Sequence, residues 1–368
     1  MLNTSLEAVK IIDEFDSFIW TDRYSAYGDF ELYLAPTEGN LTYVDHNSNE
    51  IKSIEECYLI SNESEHVMII EDIQIDSDVE NGSQLYISGR SLESILNRRI
   101  IWKQTVISGN LQNAIKKLLN ENIINPSDSK RKVNNLIFEE STDTAITSLK
   151  ISGKAQFTGD NLYDVITSLC DIFGIGFKIT LSEANQFVFK LYSGVDRSYN
   201  QSENPYVAFS PSFDNLRNSS YLKSKKNLKT ITLVAGEGEG AERKTVSVDV
   251  SNGSATGLDR RELYTDARDI SSNVTDENGN STTLSPEDYN AQLTERGNEK
   301  LSEYVSIQAF EGEAEPNMTY KFETDYFIGD IVQIMNEYGI ESRSRITEVM
   351  RSESSSGIEI YPTFTQIT

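Results

Sequence analysis

Histidine and cysteine are nearly missing from this chain of 368 residues, which holds two of each. Cys57 and Cys170 cannot build a CxxC pair, a Cys/His cluster or a disulfide framework, so they read as ordinary thiols. His46 and His66 sit in the polar stretches VDHNSNE and ESEHVMI, and neither has at hand the partners of a hydrolytic triad or a zinc site. No run approaches the ~18 apolar residues of a membrane-spanning helix. The first residues, MLNTSLEAVKIIDEF, lack a basic start and an apolar centre and do not read as a secretion signal. Positive charge is scarce too: 33 Lys and Arg stand against 58 Asp and Glu, for a formal net charge of −25. That balance opposes binding to a phosphate backbone and suits a surface past which nucleic acid slides without sticking. The one basic run that stands out, YLKSKKNLKT with Lys223, Lys225, Lys226 and Lys229, lacks interleaved aromatics and reads as a solvated loop entering a strand.

Aromatic residues, by contrast, are plentiful. There are 18 Tyr and 15 Phe, residues that favour sheets. At roughly 150 residues per domain the length predicts about two or three domains. Residues 1–105 read as strands: FELYLAP alternates Phe30, Leu32 and Leu34 with Glu31 and Tyr33, and HVMIIEDIQI and SQLYISGR continue around the turn DSDVENG. SLESILNRR follows as a short helix that Ser91 can cap, with Leu92, Ile95 and Leu96 on one face. Residues 106–200 change period. NLQNAIKKLLNENII is a helix with Leu111, Ile115, Leu118 and Leu119 in register, closed by Asn125-Pro126. GDNLYDVITSLCDIFG is a second helix, with Gly174 at its C-terminus, and GFKITLSEANQFVFKLYSG is a hairpin. Strands then return in TITLVAG, KTVSVDV, MTYKFET, IVQIMNE, RSRITEVMR and IEIYPTF, and the helix SPEDYNAQLTERGNEKLSEYV interrupts them with Ser285 as cap.

The glycines of VAGEGEGAER invite a phosphate-binding reading. A dinucleotide fingerprint needs a helix after them, and a Walker loop needs Gly-Lys-Ser/Thr. Here Gly236, Gly238 and Gly240 are followed by the strand pattern VSVDV, and Glu237 and Glu239 would repel phosphate. They read as a turn between strands. Two acidic loops resemble calcium sites. DSDVENG (Asp76, Asp78, Glu80) lacks the required glycine and final carboxylate; Asp276, Asn278, Asn280 and Glu287 have calcium-loop spacing, but serine replaces the glycine and no helix precedes them. DSDVENG reads as a hairpin turn and the second loop as an Asn-Gly turn before a capped helix, so no metal or cofactor is called for. Nothing singles out two of the many carboxylates as a glycosidase pair, and no enzyme is expected.

Four stretches go beyond pattern. SGRSLESILNRRII, VAGEGEGAER, ELYTDARDIS with the following helix, and DYFIGDIVQI with SRITEVMRSESSSGIEIYPTF resemble, in order and spacing, segments of siphophage tail-tip baseplate hub proteins, the hub domain of tail-associated lysins. The resemblance implies an α+β, β-rich fold: two β-barrel-like domains with inserted α+β and helical segments. The expected boundaries are a first barrel at 1–105, an α+β insert at 106–200, a second barrel at 201–265 with 318–368, and a helical insert at 266–317. It further implies a virion component at the tail tip, a homotrimeric ring around the DNA exit channel, and as partners the distal tail protein, the tape measure protein and receptor-binding or fibre proteins. Within that fold Gly89, Arg90 and Arg99 would shape and pair the exit from the first barrel. Gly236, Gly238 and Gly240 would make a barrel turn, and Gly329, Asp330 and Pro362 would fix turns in the second barrel. Arg90 and Arg99 read equally as surface arginines on a helix. The chain stops after the closing strands, so no lytic module is expected. Three readings stay open beside the hub: the hub of a contractile injection device, a tip adhesin, and a carboxylate hydrolase.

Overall fold

The computed structural model describes residues 1–37, 40, 57–78, 82–275, 281–314 and 319–367. In chain order its strands are β1 Ser17–Arg23, β2 Asp29–Leu34, β3 Tyr58–Ile60, β4 Val67–Asp78, β5 Gly82–Ser91, β6 Thr105–Asn110 and β7 Leu136–Glu139. Next come β8 Lys150–Phe157, β9 Gly176–Leu181, β10 Phe187–Tyr192, β11 Ala208–Phe209, β12 Leu216–Ser224, β13 Ile231–Ala235 and β14 Thr245–Asp249. The last are β15 Glu262–Asp266, β16 Asn273–Thr275, β17 Ser281–Thr283, β18 Ile307–Ala314, β19 Ile331–Met335, β20 Glu341–Ser354 and β21 Gly357–Gln366. Contacts group the chain into two units: Met1–Ser94, Ile175–Leu222 and Gln308–Thr368 form one, Ile95–Gly174 and Lys223–Ile307 the other. This grouping cuts across the boundaries drawn from sequence. The β9–β10 hairpin joins the first unit rather than an insert, and β13–β15 join the second unit rather than a closing barrel.

The first unit is built on an eleven-stranded sheet running β12-β18-β21-β20-β1-β2-β5-β4-β3, with β19 beside β20 and β11 beside β19. Among the described residues no path of paired strands closes on itself, so the two expected barrels are not closed barrels here. The sheet carries two separate cores instead. Trp20, Phe30, Leu32, Leu34, Met68, Ile70, Leu85 and Ile87 make one. Val207, Phe209, Tyr326, Val332, Ile334, Ile346, Val349 and Phe364 make the other. β20 joins the two. Its start pairs with β19 (Glu341 opposite Met335) and its end with β1 (Ser354 opposite Ser17), while β21 runs along its other edge. Alternation of apolar and polar residues explains the faces: Phe30, Leu32 and Leu34 are buried and Asp29, Glu31 and Tyr33 are not.

In the second unit, β13 lies between antiparallel β14 and parallel β15. The helix Pro286–Ser302, capped by Ser285, sets Tyr289, Leu293 and Leu301 into a core with Val234 and Val248. The helix Leu111–Leu119 is capped by Asn110 and widens into a π turn at Asn120–Ile124. Leu162–Phe173 is capped by Asn161 and ends on left-handed Gly174. The segment after β5 winds as a 3₁₀ helix, Leu92–Arg98. Ser91, expected to cap it, instead accepts the Gly28 N–H at 2.7 Å, because its backbone is still part of β5.

Candidate functional site

Gly89 lies in β5 between Phe30 of β2 and Ile70 of β4. A Cβ there would stand 1.8 Å from the Ile69 carbonyl oxygen and 3.0 Å from the Glu71 nitrogen. The close approach accompanies a register shift between Ile70 and Asp72, a bulge at Glu71. The Glu71 carboxylate receives both Nε (2.6 Å) and Nη2 (2.9 Å) of Arg90, whose guanidinium also lies 5.2 Å from the Tyr27 ring centroid. That bonding to Glu71 holds the Arg90 guanidinium well above its ordinary value. Gly89→Ala is expected to destabilise the fold by about 1–3 kcal/mol through overpacking, and Ser88→Ala by less than about 0.5 kcal/mol. Urea midpoints of the two variants check this; equal midpoints would contradict the close approach.

Gly329 and Asp330 lie in the turn that opens β19. Gly329 has φ +91°, and a Cβ on it would meet the Tyr24 ring at 2.3 Å. Its carbonyl accepts Arg345 Nη1 at 2.8 Å, and that guanidinium sits 4.8 Å from the Tyr24 ring centroid. Asp330, 2% exposed, accepts the Val195 N–H (2.7 Å), the Phe327 N–H (3.1 Å) and Arg197 Nε (2.7 Å). One carboxylate thus ties the chain leaving β10 to the turn before β19. Pro362, expected at a turn, lies inside β21 opposite Val349, and the turn joining β20 to β21 falls between Ser354 and Gly357. A proline gives its strand no N–H, but its ring can still pack on a buried face, and Pro362 is buried.

Gly236, Gly238 and Gly240 lie in the loop from β13 to β14, in the second unit and not in the large sheet. Glu237 N–H donates to the Tyr289 hydroxyl at 2.8 Å, and that hydroxyl donates to the Ile270 carbonyl at 3.1 Å. The loop therefore anchors a helix, and the Gly236 and Glu237 amides are committed to the Lys244 carbonyl and the Tyr289 hydroxyl. Arg99 also lies in the second unit, where Nε and Nη1 donate to the carbonyls of Arg131 (3.0 Å) and Arg98 (2.9 Å). His46, Glu80, Asp276, Asn278 and Asn280 lie outside the described residues; Glu287 is in the first turn of the helix Pro286–Ser302.

Sequence reading missed a buried charge cluster in the first unit. A cleft of about 500 Å³ is lined by Asp22, Glu65, His66, Lys178, Glu323 and Asp330 among others. At its wall His66 is 5% exposed, with Nδ1 3.2 Å from Oε1 of fully buried Glu93. The two meet at ion-pair distance but off the line of a hydrogen bond, so charge rather than a directed bond holds them. Glu93 Oε1 also accepts the Ile179 N–H at 2.6 Å. Burial opposes the imidazolium, yet the carboxylates of Asp22 and Glu93 outweigh it and push His66 up to about 9. Burial likewise opposes the Glu93 carboxylate, and His66 still holds it below its ordinary value. A histidine held as a cation is no general base at neutral pH. Cys170 is buried, and burial followed by the charge of Asp171 pushes its thiol well above its usual range, away from nucleophilic use. Among the described residues no group of three or more His, Cys, Asp and Glu is placed to hold a metal ion. This geometry pins strands together.

Residues 1–364 match the model of a family described as Siphovirus ReqiPepy6 Gp37-like protein. The 43 kDa tail protein of prophage MuSo2 from Shewanella oneidensis has a similar structure, with TM-score 0.54 and 14% identity over 97% of this chain and 96% of that one. A tail protein from Neisseria meningitidis MC58 gives TM-score 0.51 and 12% identity over 96% of this chain and 92% of that one. At such identities the likeness is one of fold. Comparison with curated proteins finds no match by sequence.

Proposed function

The chain belongs to the Siphovirus ReqiPepy6 Gp37-like protein family, with a fold similar to those of phage tail proteins, and on that premise we propose that it is the structural hub of a siphophage tail tip. Three copies form a ring in the virion. The ring joins the distal tail protein to the tip and surrounds the channel through which tape measure protein and DNA leave. Receptor-binding or fibre proteins attach to it, and its work is architectural rather than catalytic.

The observation that carries this reading is the open sheet. Among the described residues its main path ends in β12 on one side and in β3 on the other, where Leu2 bridges Tyr58 alone and the rest of that edge has no strand beside it. Exposed edges invite pairing with another chain, and a closed ring of copies removes them. The charge agrees: three copies carry about −75, three times −25, which repels DNA from the walls of a channel.

Light scattering after size exclusion tests the ring. We expect a species near three times the 41.4 kDa chain mass, alone or after addition of the distal tail protein. A monomer under both conditions at high concentration overturns the hub reading.

A further inference from the structure

Two basic segments far apart in the chain meet in the second unit. One is Arg98, Arg99 and Lys103 around Trp102; the other is the turn Ser129–Arg131 with Lys130, Arg131 and Lys132. Arg99 Nε donates to the Arg131 carbonyl at 3.0 Å, and Arg131 Nη2 donates back to the Ile100 carbonyl at 2.6 Å. The Arg131 guanidinium sits 5.1 Å from the Trp102 ring centroid. Trp102 is 64% exposed, whereas the chain's other tryptophan, Trp20, is 2% exposed. Ile100 beside it is exposed as well.

Five of these cations, Arg99, Lys103, Lys130, Arg131 and Lys132, hold no carboxylate among the described residues, unlike arginines elsewhere in the protein. Arg90, Arg197, Arg296 and Arg343 each hold a carboxylate. The hydrogen bonds of Arg99 and Arg131 go to carbonyl oxygens. Lys103, Lys130 and Lys132 are exposed and make no ion pair among the described residues. The acid carried by the same turn, Asp128, accepts the Lys130 backbone N–H at 3.0 Å. Burial, and then the charges of Arg131 and Arg98, hold the Arg99 guanidinium below its ordinary value, so positive charge here crowds positive charge. In a chain of net charge −25, with acids to spare, these side chains leave a local positive surface that an acidic group from outside the chain can meet.

We propose that this face of the second unit is a docking surface for a carboxylate-rich segment of a partner protein, whose acids meet Arg99, Lys130 and Lys132 and whose apolar side chain covers Trp102. Arginine and tryptophan are the residues that anchor protein interfaces, and an exposed indole beside a guanidinium offers both area and charge. Charge complementarity selects the occupant. A long polyphosphate would feel the whole acidic chain as well as the patch. A short acidic segment feels chiefly the cations within a screening length of about 8–10 Å.

Trp102 supplies the readout. The full chain is titrated with decaglutamate and with decathymidylate, following tryptophan emission, and light scattering tracks self-association at the same concentrations. We expect decaglutamate to change the emission saturably and to lose its effect in 0.5 M salt. The double variant Lys130→Glu/Lys132→Glu, which alters only exposed side chains, should weaken binding about ten-fold or more with the circular dichroism unchanged. Trp102→Phe should abolish the signal. No saturable response, undiminished binding by the double variant, binding of decathymidylate as tight as decaglutamate, or an emission change that tracks self-association would each overturn the proposal.

Discussion

His66→Gln is expected to cost the folded state about 3–5 kcal/mol at neutral pH, because it leaves the fully buried Glu93 carboxylate without its cation. Gln would keep much of the volume and a donor, so the loss reports charge rather than packing. Glu93→Gln should cost less, since an unpaired buried imidazole can shed its proton and become neutral. The pair also sets a pH dependence. His66 binds its proton more tightly folded, at about 9, than at the ordinary 6.5. Its contribution is therefore fully present below pH 6.5 and is lost as pH rises through about 9; at ~1.4 kcal/mol per unit the step is on the order of 3 kcal/mol. Trp20 reports the same neighbourhood, since its Nε1–H donates to Asp22 at 2.8 Å. Urea unfolding followed by tryptophan emission from pH 6 to pH 10 should show falling stability in the natural chain and a flattened profile in His66→Gln. A flat profile in the natural chain would sink the argument.

The reason this cluster escapes a reading of sequence is physical. ESEHVMI looks like a polar turn, and only the stacking of β1, β4, β9 and the segment after β5 removes His66 from water and brings Asp22 and Glu93 to it. The strand FELYLAP, the cap Ser285 and the helix end at Gly174 were legible because they depend on neighbours a few residues away. The glycine loop after β13 was legible for the same reason: it leads into the strand β14 and not into a helix. Alternation also marked which face of β2 is buried, though β19 is buried along nearly its whole length. Alternation could not say which strand lies beside which, and the pairing of Ser17 with Ser354 decides that the sheet stays continuous where two barrels were expected. The basic face at Trp102 was hidden likewise. LNRRIIWK and SKRK each look like ordinary charged surface until Arg99 and Arg131 are bonded across the gap.

In the second unit, Arg296→Gln should likewise cost about 3–5 kcal/mol at pH 8, and distinctly less at pH 5. Arg296 is 5% exposed and holds the helix Pro286–Ser302 against β8. Its Nη2 donates to the Gln156 carbonyl at 3.0 Å and to Asp269 at 2.9 Å, while Nε lies 3.3 Å from Glu299 and Nη2 3.8 Å from Asp160. Three carboxylates thus lean on one buried cation. Burial, to which Asp160 and Glu303 add, pushes the Glu299 carboxyl up to about 7 despite Arg296 and Lys300. Because that value is raised by folding, Glu299 favours the folded state below its ordinary 4.5, and the advantage is lost as pH rises through about 7. Removing Arg296 takes away the charge that restrains this rise. At pH 5 Glu299 stays protonated and makes little demand for a partner; at pH 8 it must either ionise unpaired or hold its proton at a cost. The gap between natural chain and variant should therefore widen with pH. Hydrogen-exchange protection factors of the helix amides, compared at pH 5 and pH 8, measure that gap. Equal losses at both values would mean that Arg296 acts by packing on Phe157, its ring centroid 5.6 Å away, and that the carboxylates around it are incidental.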